Sequence, residues 1–226
     1  MLKYLDEIDS LNLRRKNLYE PRETSIVKKE LRRGDVFVDI GAHIGYYTVM
    51  AAEIVGKEGK VYAFEPASKN YEILVKNVEG MENVLTFNLA ASSKSGVASL
   101  YLNPENSGDN RVNSPQKYFQ EEKITTVILD DFMRGVERVD FVKIDVQGHE
   151  LSVLEGMKGI IERFRGLKII IEYSPVHLSL QGVNPKNLLK VLIEHGFSLK
   201  ASKTHHFKKC TIENKKHCNI FCVREK

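Results

Sequence analysis

Short apolar runs alternate with stretches of helical periodicity along most of the chain, and this alternation constrains the fold more than any other feature. The run Val36–Ile40 is almost continuously apolar, which is typical of a strand buried in a parallel sheet. The predicted strands are 35–40, 60–65, 84–89, 139–145 and 167–173, and the predicted helices are 45–55, 67–79, 149–163 and 184–195. Alternating strands and helices predict an α/β fold with helices on both faces of the sheet.

The remaining segments depart from this alternation. Residues 197–201 and 219–224 are predicted to form an antiparallel pair of strands, and residues 97–102 an additional strand. Residues 103–116 are rich in Asn, Ser, Gly and Pro, and so long an irregular segment inside a domain is usually functional or mobile.

The N-terminal part is predicted to be helical. Residues 3–18 have loosely helical spacing, and a second helix is predicted to begin at Pro21, with Gly34 at the C′ position that stops it. We therefore expect a helical segment or lid over 1–33 and one α/β domain over 34–226.

Charge and cysteine content exclude several classes of protein. The net charge is +4, but residues 200–226 hold eight Lys or Arg against two acids, so the rest of the chain carries −2. An acidic body argues against a nucleic-acid groove across it. Three cysteines near the C-terminus, no signal peptide and no apolar run long enough to span a membrane predict a cytoplasmic protein.

The loop after the first strand favours a small ligand without a phosphate. It reads DIGAHIG over residues 39–45, so His43 and Tyr46 stand where a dinucleotide fold needs glycine to approach a pyrophosphate. Gly41 and Gly45 still permit a close backbone approach, and Asp39 suits an ammonium group. The alternative is that Gly41 is only a turn glycine.

A second acid completes the pattern. Glu65 ends the second strand, 24 residues beyond Gly41, where a carboxylate accepts the hydroxyls of a ribose in dinucleotide folds. A ligand with a ribose and an amino-acid zwitterion but no phosphate is S-adenosylmethionine. The alternative is that Glu65 is only an exposed acid at the end of a strand.

Three segments resemble the FkbM family of class I methyltransferases. They are GDVFVDIGAHIGYYT (34–48), AFEP (63–66) and VDFVKIDVQGHE (139–150), the last followed by VLEG (153–156). LDDF (129–132) and the strand end at Ile171 and Glu172 match more loosely. The third segment is the most specific to the family.

The resemblance implies a Rossmann-like, mostly parallel seven-stranded sheet with an antiparallel last strand, S-adenosylmethionine as methyl donor, and O-methylation of a hydroxyl on a small molecule or glycan. The expected cofactor-binding residues are Asp39, Gly41, Ala42, His43, Gly45, Tyr46, Thr48, Glu65, Pro66, Ala90, Ala91 and Asp145. Gln147 stands where the family more often has Glu, and we assign it no catalytic role.

Methylation of a hydroxyl needs a general base. The expected catalytic candidates are Asp145, which ends the fourth strand, His149 at the next helix, and Glu172, and Glu150 and His177 are further candidates for the base. Asp109, Asn110 and Arg111 in the irregular segment are expected to bind the acceptor; the alternative is a plain Asx turn.

Metal chemistry is not indicated by the spacing. The C-terminal His and Cys residues lack the paired spacing of structural zinc sites, and we expect no metal. The alternative is that Asp145 and Glu172 hold Mg²⁺.

Two rival functions stay open. One is an RNA ribose 2′-O-methyltransferase that uses the basic C-terminal hairpin, and the other is a catalytically silent S-adenosylmethionine-binding protein. The oligomeric state is not predicted.

Overall fold

A computed structural model describes residues 2, 19–112, 120–201 and 217–224. The predicted helix over 3–18, the segment that joins the last two strands, and Cys210, His205 and His206 lie outside the described residues. No helix among the described residues is long and apolar enough to cross a membrane.

A seven-stranded sheet forms the centre of the described part. Its strands are β1 (Val36–Ile40), β2 (Lys60–Phe64), β3 (Val84–Phe87), β8 (Phe141–Ile144), β9 (Lys168–Tyr173), β10 (Ser198–Ala201) and β11 (Cys218–Val223), in the spatial order β10-β11-β9-β8-β1-β2-β3. All pairings are parallel except those of β11, which runs antiparallel to both β9 and β10. The predicted α/β sheet with a reversed last strand is confirmed.

Helices connect the strands and cover both faces. They are α1 (Pro21–Glu30), α2 (Tyr46–Val55), α3 (Ser68–Asn77), α4 (Leu129–Phe132), α5 (Glu150–Gly156), α6 (Lys158–Arg163), α7 (Pro175–Leu180) and α8 (Pro185–Glu194). The strands β1, β8 and β9 are buried almost throughout because helices pack on both sides of them.

Two predicted helix boundaries are wrong. Helix α1 ends at Glu30, about one half-turn earlier than a stop with Gly34 at C′ implies, because the carboxylate of Asp35 accepts the N–H of Arg32 and turns the chain toward β1. The single helix predicted over 149–163 is divided at Met157, because Asp130 accepts the N–H groups of Gly159 and Ile160 and caps a new helix.

A second, four-stranded sheet follows β3. It comprises β4 (Ala90–Ala91), β5 (Gly96–Leu102), β6 (Arg111–Val112) and β7 (Gln120–Val127), in the order β4-β7-β5-β6. The strand predicted over 97–102 is confirmed as β5, whereas β7 is absent from the sequence prediction. Leu100, Val112 and Ile124 pack on Ala67 and Ala90, so this sheet is fixed beside the end of β2.

Candidate active site

A cleft of about 950 Å³, counted to its open mouth, lies beyond the carboxyl ends of β1, β2 and β8. Strand order reverses at β1, and ligands of open α/β sheets bind at such a point. Its walls are apolar at Ile40, Phe64 and Leu89 and polar at Glu65 and Asp145.

The loop after β1 forms one wall, and Gly41 determines its path. Gly41 has a φ of +79°, and a Cβ placed on it would lie 1.9 Å from the carbonyl oxygen of Asp145. Only glycine fits there without movement of the loop after β8. Ala42, His43 and Tyr46 line the cleft, and helix α2 begins at Tyr46.

Asp39, Gly45 and Thr48 lie behind the described residues that line this wall. The Thr48 hydroxyl donates to Asp39 Oδ2 at 2.6 Å, and both side chains are buried. Burial raises the pKa of Asp39 above its ordinary value, and its Oδ1 has no hydrogen-bond partner among the described residues. These three residues stay predicted cofactor-binding residues. In the structure they lie behind the loop and support it.

Glu65 lines the cleft at the end of β2 and is 4% exposed. Its Oε2 accepts the backbone N–H of His43 at 2.8 Å, and its Oε1 accepts that of Ala67 at 3.0 Å. Burial raises the pKa of this carboxyl to about 7. Glu65 is therefore a fixed acceptor for hydroxyl groups at the edge of an apolar cavity, with Pro66 beside it.

Leu89, Ala90 and Ala91 form a smooth apolar wall. His149 lines the cleft next to it, and its Nε2 lies 3.0 Å from the Ser92 hydroxyl. Burial lowers the pKa of His149 to about 4. The structure thus places His149 beside Ala90 and Ala91, two of the residues expected to bind the cofactor.

Lys143 is a cavity residue that the sequence analysis missed. Its side chain is 5% exposed, and Nζ lies 3.2 Å from Asp145 Oδ2. Burial alone would lower the pKa of Lys143, but the carboxylates of Asp145, Asp39 and Glu20 raise it above its ordinary value. The signal for this residue was a single cation inside the apolar strand β8.

Asp145 is held from two sides. It accepts from Lys143 and, at 2.7 Å, from Gln147 Nε2. Burial would raise its pKa, but the Lys143 ammonium and these hydrogen bonds bring it below the ordinary value. Asp145 is therefore a carboxylate at neutral pH, which makes it a partner for a cation more than an acceptor of protons.

The loop between β5 and β6 closes over the glycine loop. The Ser107 hydroxyl lies 3.0 Å from His43 Nε2, and its carbonyl accepts from Asn70 Nδ2 at 3.2 Å. Asn110 lines the cleft, whereas Asp109 and Arg111 form a bidentate ion pair behind the described lining residues. The three residues expected to bind the acceptor lie together, although the structure brings only Asn110 to the wall of the cleft.

The N-terminal segment also reaches the site. Tyr19 lines the cleft, and the carboxylate of Glu20 accepts from the Tyr47 hydroxyl at 2.8 Å. The lid expected over 1–33 stays a prediction.

A further polar group lies at the ends of β8 and β9. Glu172 is 3% exposed, and its Oε1 lies 3.1 Å from Gln147 Nε2 and 3.4 Å from His217 Nε2. Burial raises the pKa of Glu172 well above its ordinary value, and the charges of Asp145 and Glu150 raise it further.

Among the described residues, no cluster of three or more His, Cys, Asp or Glu is arranged to hold a metal ion.

Solved structures with the same fold are S-adenosylmethionine-dependent methyltransferases. The fibrillarin of Aeropyrum pernix with natively bound S-adenosyl-L-methionine is 15% identical, with a TM-score of 0.53 over 89% of this chain and 73% of that one. An O-methyltransferase of Thermotoga maritima is also 15% identical, with a TM-score of 0.53 over 96% of this chain and 69% of that one. The fold is thus that of a class I methyltransferase.

Sequence comparison is more specific. The methyltransferase FkbM domain model matches residues 39–199. The hexuronic acid methyltransferase AglP of Haloferax volcanii is 30% identical over 183 residues, 79% of this chain and 70% of that protein. The methyltransferase sdnD of Sordaria araneosa is 27% identical over 154 residues, 53% of this chain and 59% of that protein. The chain belongs to the FkbM methyltransferase family, and S-adenosylmethionine is its methyl donor.

Proposed function

We propose that this enzyme transfers a methyl group from S-adenosylmethionine to a hydroxyl of a sugar acid or of a glycan that contains one. The observation that carries the cofactor site is the buried Glu65 carboxylate, held by two backbone N–H groups at the edge of an apolar cleft. The sugar class is supported by the similarity to a hexuronic acid methyltransferase.

The cleft offers a matching group for each part of the cofactor. We assign the ribose hydroxyls to Glu65 and the adenine to the wall formed by Leu89, Ala90 and Ala91. The amino-acid zwitterion is assigned to the opposite charges of Lys143 and Asp145, because a buried pair of this kind complements one cation and one anion.

The chemistry requires mainly positioning. When bound, the cofactor supplies an electrophilic methyl group on a sulfonium. The chain holds the acceptor hydroxyl in line with that group, excludes water and accepts the hydroxyl proton. The loop that carries Ser107 and Asn110 lies over the glycine loop, and we assign the acceptor to the space between this loop and the ends of β8 and β9.

Transfer of a labelled methyl group tests the proposal. The purified protein is incubated with methyl-tritiated S-adenosylmethionine and with the methyl glycosides of glucuronic and galacturonic acids, neutral methyl glucoside, or a short single-stranded RNA. We expect label in at least one uronate, little in the neutral sugar, and none with Glu65→Ala. As a matched surface control, Glu58→Ala retains wild-type transfer, because Glu58 is exposed and pairs only with Arg33 among the described residues.

Label in the RNA alone would replace the proposal by ribose 2′-O-methylation. Binding of S-adenosylmethionine without transfer to any of these compounds would overturn the assignment of a sugar-acid acceptor.

A further inference from the structure

Glu172 and His217 contact each other next to Gln147, a residue that lines the cleft on the side to which we assign the acceptor. Glu172 stands one residue before the end of β9, and Oε1 lies 3.4 Å from His217 Nε2. The same oxygen accepts from Gln147 Nε2, which also donates to Asp145. Gln147 and Asp145 both line the cleft, so two contacts connect His217 with its wall.

The topology explains why His217 lies there. Strand β11 runs antiparallel to β9, so the residue just before β11 lies at the carboxyl edge of the parallel strands. The side chain of His217 is 57% exposed, whereas that of Glu172 is 4% exposed. A half-exposed imidazole supported by a buried carboxylate is suited to exchange protons with a bound hydroxyl and with water.

The other candidates for the general base have partners that make them less suited to accept a proton. Asp145 is a carboxylate stabilised by Lys143 and Gln147. His149 lies against Ser92, and burial lowers its pKa to about 4. His177 Nε2 lies 3.4 Å from the Arg111 guanidinium, and burial together with that cation lowers the pKa of His177.

We propose that His217 is the general base of the methyl transfer and that Glu172 is its positioning residue. This inference rests on the proposed function. With the Nε2 proton directed to Glu172, Nδ1 of His217 takes the proton of the acceptor hydroxyl. The new bond joins the hydroxyl oxygen to the methyl carbon, and the electron pair of the broken carbon–sulfur bond stays on sulfur.

The electrostatic surroundings support this arrangement. Glu172, Asp145 and Glu150 face this pair from β9 and from the loop and helix after β8. Burial raises the pKa of Glu172 and of Glu150, so Asp145 is the main negative charge here, and Lys143 offsets part of it. The ring of His177 lies 6.4 Å from that of His217, and Arg111 beyond it is paired with Asp109.

Kinetics of His217→Asn and Glu172→Gln with the best uronate acceptor test the proposal. His217→Asn is expected to lower kcat by about 10²–10⁴-fold and to change KM for the acceptor by less than about threefold. Glu172→Gln is expected to lower kcat less and to change the pH profile, because the variant lacks the carboxyl group whose pKa burial raises, and Glu172→Asp to restore part of the loss. His195→Asn is the matched histidine control, because His195 ends helix α8 and precedes β10, at the amino ends of the parallel strands.

A wild-type kcat in His217→Asn, or an unchanged pH profile in Glu172→Gln, overturns the proposal. A second readout needs no acceptor: the ring ¹⁵N chemical shifts of labelled His217, which report the tautomer, in the wild type and in Glu172→Gln. We expect the Nε2–H tautomer in the wild type and a changed tautomer ratio in the variant, and identical ring shifts overturn the pairing. If the wild type methylates no acceptor, the proposed function fails and this NMR comparison alone decides whether the pair exists.

Discussion

The Glu65 carboxylate accepts the backbone N–H of His43 at 2.8 Å and so joins the end of β2 to the glycine loop after β1. The two halves of the cofactor site are therefore one unit, because the group assigned to the ribose also fixes the loop assigned to the methionine side. A change at Glu65 should affect both the charge of the site and the conformation of the loop.

Cofactor affinity should depend on the ionisation of Glu65. Burial raises the pKa of this carboxyl to about 7 in the ligand-free protein. Ribose hydroxyls donate to the ionised form, so binding favours loss of the proton and the affinity should decrease as the pH falls below about 7. We expect a decrease of up to about tenfold per pH unit for S-adenosylhomocysteine, measured by calorimetry from pH 8 to pH 5.5.

Glu65→Gln is the control for this pH dependence, since it keeps the shape of the side chain without the charge. It should bind more weakly at pH 8 and show a nearly flat profile. The same pH dependence in Glu65→Gln as in the wild type would assign the titration to another group.

Gly41→Ala should destabilise the domain and weaken cofactor binding. The new Cβ would lie 1.9 Å from the carbonyl oxygen of Asp145, at a φ of +79° that side chains rarely adopt. Together these effects should lower the free energy of unfolding by about 2–5 kcal/mol, as measured by urea denaturation. Gly135→Ala, where a Cβ meets nothing within 4 Å, should change it by less than about 0.5 kcal/mol. Equal stability of the two variants would contradict the tight loop packing.

Lys143→Met should leave two buried carboxylates without their cation. Asp145 lies 3.2 Å from the Lys143 ammonium, and Asp39 also interacts with its charge. We expect a loss of about 3–5 kcal/mol in the free energy of unfolding at pH 8. The loss should be smaller at pH 5, because the folded-state pKa of Asp145 rises in the variant and this destabilisation appears only as the pH increases through it.

The exposed Lys60 at the start of β2 provides the matched control, Lys60→Met, which should change stability little. A deficit that does not vary with pH in Lys143→Met would argue that packing, and not charge, determines the effect.

The sequence predicted the central sheet well because its signal is local. Buried strands such as β1 are continuous apolar runs, and Gly41 and Glu65 follow such runs directly. Strand β7 was missed because its residues, Gln120–Val127, lie in a partly exposed sheet and include charges at several positions. Its place depends on pairing with β5 and not on its own apolar pattern.

The contacts among the polar groups of the site could not be read from spacing. His217 meets Glu172 because β11 is inserted between β9 and β10, a pairing that no local pattern reports. Lys143 was missed for a different reason: in an apolar strand a lone cation is ambiguous until its partners, Asp145 and Asp39, are placed beside it.

The most direct measurement of the central claim is calorimetric titration with S-adenosylmethionine and S-adenosylhomocysteine of the wild type, Glu65→Ala and the surface control Glu58→Ala. Loss of two charge-assisted hydrogen bonds of about 1.5–3 kcal/mol each should weaken binding at least about 100-fold in Glu65→Ala. For each of the two ligands, Glu58→Ala should have the same affinity as the wild type. A folded wild type that binds neither ligand, or a Glu65→Ala variant that binds as tightly as the wild type, would contradict the cofactor site described above.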